Sequence, residues 1–137
     1  MTRISVAALT ALISIGVQAK TIDITLGADG RHFSPDFQWL DTGDRIRFAA
    51  ADADHLVTTI AGMLPDGVPA ARQTQNRPLA VTLAKDGVYG FASCGEEAVV
   101  LIVAGKPANE GAAKAVRHKA AAQQQFTALF AQLDGTP

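Results

Sequence analysis

Asp52-Ala53-Asp54-His55-Leu56-Val57-Thr58-Thr59-Ile60-Ala61-Gly62-Met63-Leu64-Pro65-Asp66-Gly67 is the stretch on which the fold turns. Its first residues close a small, acidic loop that begins at Ala49. His55 to Ile60 is rich in β-branched side chains, which suit the pleated surface of a strand, so this segment reads as β. Gly62 to Gln75 has loop composition, and Pro65-Asp66-Gly67 is its sharpest turn. A strand therefore leaves an acidic loop with a histidine at its start.

The same signals recur on both sides. Ile22, Ile24 and Leu26 alternate with Asp23 and Thr25, the period of a half-buried strand. Phe33-Ser34-Pro35 and Trp39-Leu40 follow a turn at Gly27–Gly30, and Pro35, which lacks an N–H, confines that strand to an edge or an end. Arg45-Ile46-Arg47-Phe48 alternates again after Asp41-Thr42-Gly43-Asp44. Downstream, Leu79, Val81 and Leu83 alternate with Ala80 and Thr82, and Lys85-Asp86-Gly87 turns the chain into Val88-Tyr89-Gly90-Phe91. Val99 to Val103 is a continuous apolar run, as in a strand buried on both faces. About seven short strands with regular turns predict an all-β sandwich. From Asn109 alanine dominates. Phe126, Leu129, Phe130 and Leu133 share one helical face, which predicts one or two C-terminal α-helices folded back on the sandwich. Asn109 is placed to cap the first turn.

The whole chain has 137 residues, 12 basic and 13 acidic, and a formal net charge of −1. Mixed charges without a basic patch exclude a nucleic-acid partner. Residues 1–19 read as an export signal: Arg3, an apolar run from Val6 to Val17, and Val17-Gln18-Ala19 at the cut. That run is short of the roughly twenty apolar residues of a membrane span, so no membrane association is expected after cleavage. The expected organisation is a signal at 1–19, a sandwich over 20–108 and a helical tail over 109–137. Cys94 is the one cysteine, so an internal disulfide is excluded. It is a free thiol, a metal ligand, half of an intermolecular bond, or a small buried residue. There is no GxSxG, no HExxH and no glycine-rich phosphate loop, and an enzyme is not expected.

The stretch from Asp52 to Gly67, with His55 inside it, closely resembles the segment of pseudoazurins that carries their first copper-binding histidine. Gly87-Val88-Tyr89-Gly90 resembles the strand leading into their copper loop. Phe33-x-Pro35 and Gly43-Asp44 fit earlier strands, and the tail from Lys106-Pro107-Ala108-Asn109 fits their C-terminal helices. The resemblance spans nearly the whole chain after the signal. It implies an eight-stranded Greek-key cupredoxin of the bacterial periplasm, monomeric, carrying single electrons on type 1 copper to a periplasmic redox protein.

The resemblance stops at the copper loop. In the family, a histidine follows the cysteine after two intervening residues, and a methionine follows five further on. Here Ser93-Cys94-Gly95-Glu96-Glu97-Ala98-Val99 holds neither. No histidine follows Cys94 before His118, which falls in the predicted helix, and no methionine follows Met63. Counted from Tyr89-Gly90, the family's ligand position is Ser93. A one-residue shift turns a side chain to the other face of a strand, unless a bulge near Ala92 restores it. His55 and Cys94 are thus the candidate copper ligands, with His55 as the one that carries over directly. The other reading of His55 is a histidine hydrogen-bonded at the sandwich rim. Glu96 and Glu97 could add oxygen donors, although adjacent glutamates on a turn are more often solvated. His32 reads as surface. Between Thr21 and Gly105 Lys85 is the one lysine, where pseudoazurins carry a ring of them around the copper edge. Three functions stay open: a copper protein of the electron-transfer family with doubtful redox activity, a non-blue copper carrier for storage or delivery, or a metal-free binding module that uses the loop Ser93–Ala98.

Overall fold

Alternation along the chain places Ile24, Ile46 and Phe48 inward, while Thr21, Asp23, Arg45 and Arg47 face solvent or the rim. The computed structural model, which describes residues 18–135, shows what these side chains bury against. Eight strands form: β1 (Thr21–Leu26), β2 (Phe33–Ser34), β3 (Phe37–Leu40), β4 (Arg45–Phe48), β5 (Val57–Thr59), β6 (Leu79–Thr82), β7 (Gly87–Ser93) and β8 (Val99–Ala104). Two helices follow, α1 (Glu110–Lys114) and α2 (Ala120–Gly135). The export signal expected at 1–19 lies almost wholly outside the described residues. No helix among the described residues is long and apolar enough to cross a membrane.

The strands make two four-stranded sheets, ordered β2-β1-β4-β6 and β3-β8-β7-β5. Pro35 lies where the chain leaves the first sheet and enters the second. Its flanking strands, β2 and β3, are each an edge, where a missing N–H costs no ladder bond. Between the sheets lie Ile24, Phe33, Ile46, Phe48, Val57, Tyr89, Phe91, Val100 and Ile102, all nearly or fully buried. Phe48 bridges the layers, with Phe33 edge-on at 5.7 Å and Phe91 tilted at 5.1 Å.

A second core explains the continuous apolar run of β8. Val88, Ala92, Val99, Leu101 and Val103, on the outer face of β7 and β8, pack on Phe126, Leu129, Phe130 and Leu133 of α2. The two central strands are buried on both faces, so their sequence does not alternate. Burying each large apolar side chain of that stripe contributes about 1.5–3 kcal/mol. Lys114 of α1 ties the helices together, with its Nζ 2.7 Å from Glu110 and 2.9 Å from Asp134. Asn109 precedes α1 but does not cap it: its side chain accepts the Val88 N–H at 2.7 Å and donates to the Val88 carbonyl at 3.0 Å. The backbone of β7 takes the acceptor that the helix would have used.

Candidate metal centre

His55 sits in the turn before β5, not inside the strand, which starts only at Val57. Its backbone N–H donates to the Asp52 carbonyl at 3.1 Å, closing the turn. The same residue orients the ring: His55 Nδ1 is 2.7 Å from Asp52 Oδ1. The hydrogen bond from His55 holds the Asp52 carboxyl below the usual carboxylate value. An ionised carboxylate accepts only, so Nδ1 is the donor of this pair, and in the neutral ring Nε2 keeps the lone pair. Nε2 faces the 27–30 loop, 3.1 Å from where a Cβ on Gly30 would stand. Asp52 is thus a functional neighbour that the sequence reading placed only in a surface loop. Its spacing of three from His55 was the signal that could have found it.

Cys94 borders a different depression at this end of the sandwich. The β5–β7 register pairs Val57 with Ser93 and Thr58 with Ala92, and the β7–β8 register runs unbroken from Gly87↔Ala104 to Ala92↔Val99. There is no bulge at Ala92. Tyr89 and Phe91 therefore face the inter-sheet core, and Ser93 shares their side of the strand. Ser93 is buried, and its Oγ accepts the Ala98 N–H at 3.1 Å. Cys94 begins a single 3-10 turn, Cys94–Glu96, and its thiol is exposed, which rules out the reading of a small buried residue. Its backbone N–H donates to the Leu56 carbonyl at 2.9 Å. The depression beside it is lined by Ala53, Leu56, Val57, Thr58 and Arg72, whereas His55 lines the cleft formed by β1, Gly30 and Ala49–Asp52.

The two glutamates turn elsewhere. Glu96, at φ +57°, places a carboxylate oxygen 3.7 Å from His118 Nδ1. His118 is not in a helix: it lies between α1 and α2, its ring 4.4 Å from that of Phe126 and its side chain only 1% exposed. The Glu97 carbonyl accepts from Gln125 Nε2 at 2.8 Å, and Gln125 Oε1 accepts the Val99 N–H at 3.3 Å, so α2 holds the C-terminal end of the turn. His32 is exposed, beside Arg31, Glu97 and Gln125. Met63 is fully buried against Gly90, with its sulfur 2.8 Å from where a Cβ on that glycine would stand.

A type 1 copper centre needs two imidazoles and a thiolate around the metal, with a weak axial sulfur. Among the described residues no three His, Cys, Asp or Glu side chains come together as a metal site. Met63 faces β7, His118 faces Glu96, and His55 and Cys94 border different depressions. The residues present do not fit a type 1 centre.

No protein-family model matches the chain. A curated pseudoazurin from Methylorubrum extorquens is 40% identical over 106 residues, covering 74% of this chain and 71% of that protein. Among solved structures, a pseudoazurin from Sinorhizobium meliloti superposes with a TM-score of 0.75 at 27% identity, covering 85% of this chain and 98% of its own. The pseudoazurin of Methylobacterium extorquens AM1 superposes with a TM-score of 0.73 at 34% identity, covering 82% and 98%. The two-sheet sandwich, the C-terminal helices and the sequence match over most of both chains lead to one assignment: this chain belongs to the pseudoazurin family of cupredoxins.

Proposed function

We propose that the chain is an exported, periplasmic pseudoazurin-like cupredoxin, of a copper electron-transfer family, that does not itself turn over as a blue-copper carrier. The observation that carries this is the placement of Ser93. It occupies the inward position at the end of β7, and its hydroxyl is engaged by Ala98, while the thiol of Cys94 lies one residue further on and outward. His55 and Cys94 remain the two candidate donors, and copper held through them would be weak and non-blue, suited to storage or delivery. The partner on this reading is a periplasmic redox protein, met by a monomer.

A second reading is a metal-free binding module. It is favoured by the separation of His55 and Cys94 into different depressions, and by the way α2 fixes the Ser93–Ala98 loop through Gln125. The arginines at 31, 45, 47, 72 and 77 would steer partners in place of a lysine ring, since Lys85 Nζ is already bonded to the Asp66 carbonyl at 2.8 Å. Metal analysis after Cu(II) loading and dialysis separates the two. Retained copper that is lost in His55→Ala supports the carrier. No retained copper supports the module. A full equivalent that supports rapid electron exchange would overturn both.

A further inference from the structure

β6 is the edge of its sheet, and part of its backbone has nothing to bond to. In an antiparallel pair, successive residues turn their N–H and C=O groups alternately toward the partner strand and away from it. Leu83 donates its N–H to the Asp44 carbonyl at 2.8 Å, in register with the Ile46↔Val81 and Phe48↔Leu79 pairs. Arg45 turns its own N–H the other way, to the Lys20 carbonyl at the start of β1. Leu79 and Val81 therefore bond to β4, while Ala80 and Thr82 turn their backbone groups to the open side. Both residues are exposed. Among the described residues the Ala80 N–H, the Ala80 carbonyl and the Thr82 N–H have no partner beyond this edge. The Thr82 carbonyl accepts the Ala84 N–H at 2.9 Å, so the free edge ends there.

A groove follows this edge, between β6 and residues 67–71, and holds about 320 Å³. At roughly 30 Å³ per water, that is the room of about ten waters. Its walls are small, apolar and open to a ligand: Pro69, Ala70 and Ala80 are exposed, and Val68 and Val81 are half-buried. No aspartate or glutamate lines it, and Lys85 stands at one end beside Gly67. Lys85 Nζ gives one N–H to the Asp66 carbonyl at 2.8 Å and forms no ion pair among the described residues, so its charge is not neutralised. Arg45, the cross-strand neighbour of Thr82, is exposed and likewise without an ion pair. The groove thus joins an unpaired strand edge to a cationic end, placed where the edge stops.

We propose that this groove takes the extended C-terminal end of a partner protein, with small apolar side chains, as a short strand added parallel to β6. The carbonyl of the third residue from the end accepts the Ala80 N–H. The N–H of the last residue donates to the Ala80 carbonyl. The terminal carboxylate accepts from the Thr82 N–H and from Lys85 Nζ. A chain that ran on past Lys85 would lose its ladder, because the Thr82 carbonyl is taken, so a chain end fits better than a through-running segment. Strand addition supplies affinity, and the charge fixes the register. The groove shares no residue with the depressions beside His55 and Cys94, so the proposal goes beyond the copper and loop readings and is tested separately from them.

The test is an amide-shift titration of the full chain with N-acetyl-alanyl-valyl-alanine, as the free acid and as the C-terminal amide. The expected result is shifts centred on Val68, Ala70, Ala80 and Thr82, with the acid binding about tenfold more tightly than the amide, since charge-assisted hydrogen bonds are the stronger kind. Lys85→Gln should bring the acid down to the affinity of the amide. Ala80→Pro removes an N–H that the β4 ladder does not use, and should abolish binding of both peptides while the β4 amides stay protected. Equal binding of acid and amide to the unchanged protein, shifts centred elsewhere, or no binding up to the solubility limit of the peptide each overturns the proposal. An amidated peptide with a mid-chain aspartate that binds as tightly as the acid also overturns it, by giving the groove to a side-chain carboxylate. The unchanged protein decides the matter if a variant does not fold.

Discussion

Asp52 Oδ1 stands 2.7 Å from His55 Nδ1, and this contact decides which nitrogen of the imidazole is free for chemistry. The histidine that the family resemblance marks as a copper ligand therefore offers Nε2, toward Gly30, while Cys94 borders a different depression. The neutral ring should be found as the Nδ1–H tautomer by nitrogen NMR. Asp52→Ala should shift it toward Nε2–H, while the amide spectrum of the two sheets stays unchanged. A ring already in the Nε2–H form in the unchanged protein would contradict the assignment.

Ser93 closes the loop by accepting the Ala98 N–H. Both residues are buried, so water cannot replace the hydroxyl. Ser93→Ala should cost about 1–3 kcal/mol, the penalty of an unsatisfied buried donor. Hydrogen exchange at Ala98 should speed up more than at β1 or β4. Uniform loss of protection over all strands would argue against a local role.

Gly90 is required by close approach. A Cβ there would stand 2.7 Å from Met63 Cε and 2.9 Å from Met63 Cβ, and the backbones are joined by Gly90 N–H to the Met63 carbonyl at 2.9 Å. Gly90→Ala should destabilise by about 1–3 kcal/mol through overpacking. Met63→Ala alone should also destabilise, by about 2–5 kcal/mol. The double variant should lose less than the sum of the two in urea unfolding, because each change relieves the other. Strict additivity would remove the contact from the account.

Much of this was legible from the chain and some was not. Ile22–Leu26 and Arg45–Phe48 alternate because one face of their sheet meets solvent, and they became β1 and β4. The apolar run at Val99–Val103 signalled burial on two faces, and α2 supplies the second cover. The Phe126–Leu133 stripe pointed to that contact directly. Asn109 was read as a cap because local preference is all a sequence displays, whereas its partner, Val88, lies in a strand twenty-one residues back. His118 was read as helical from its alanine-rich surroundings, but stacking on Phe126 buries it in the link between helices. Of the candidate site, the missing second histidine and the displaced thiol could be counted off. The Asp52–His55 pairing and the Glu96–His118 contact needed the fold.

Asp44 links the fold to pH. Its buried carboxylate accepts the N–H groups of Lys20 and Asp41, both at 2.9 Å. Those bonds, Lys20 first, hold its pKa below the ordinary 3.8. A carboxyl whose folded value is depressed stabilises the protein fully above its unfolded value, and the gain disappears as pH falls through the folded one. The contribution should therefore be constant near neutrality and be lost below pH 3.8. Asp44→Asn should be less stable at pH 7 and lose less on acidification. Urea midpoints at pH 7 and pH 3 for both proteins check this; parallel losses would show that Asp44 is not involved.

Ser93, not Cys94, holds the inward position at the end of β7, and an optical titration of the reduced protein with Cu(II) tests the consequence most directly. The absorption of a cupric thiolate reports a bound cysteine. The expected result is no intense blue band at one equivalent. An intense blue band that disappears in both Cys94→Ser and His55→Ala would contradict it, because the loop would then have brought thiol and imidazole onto one metal.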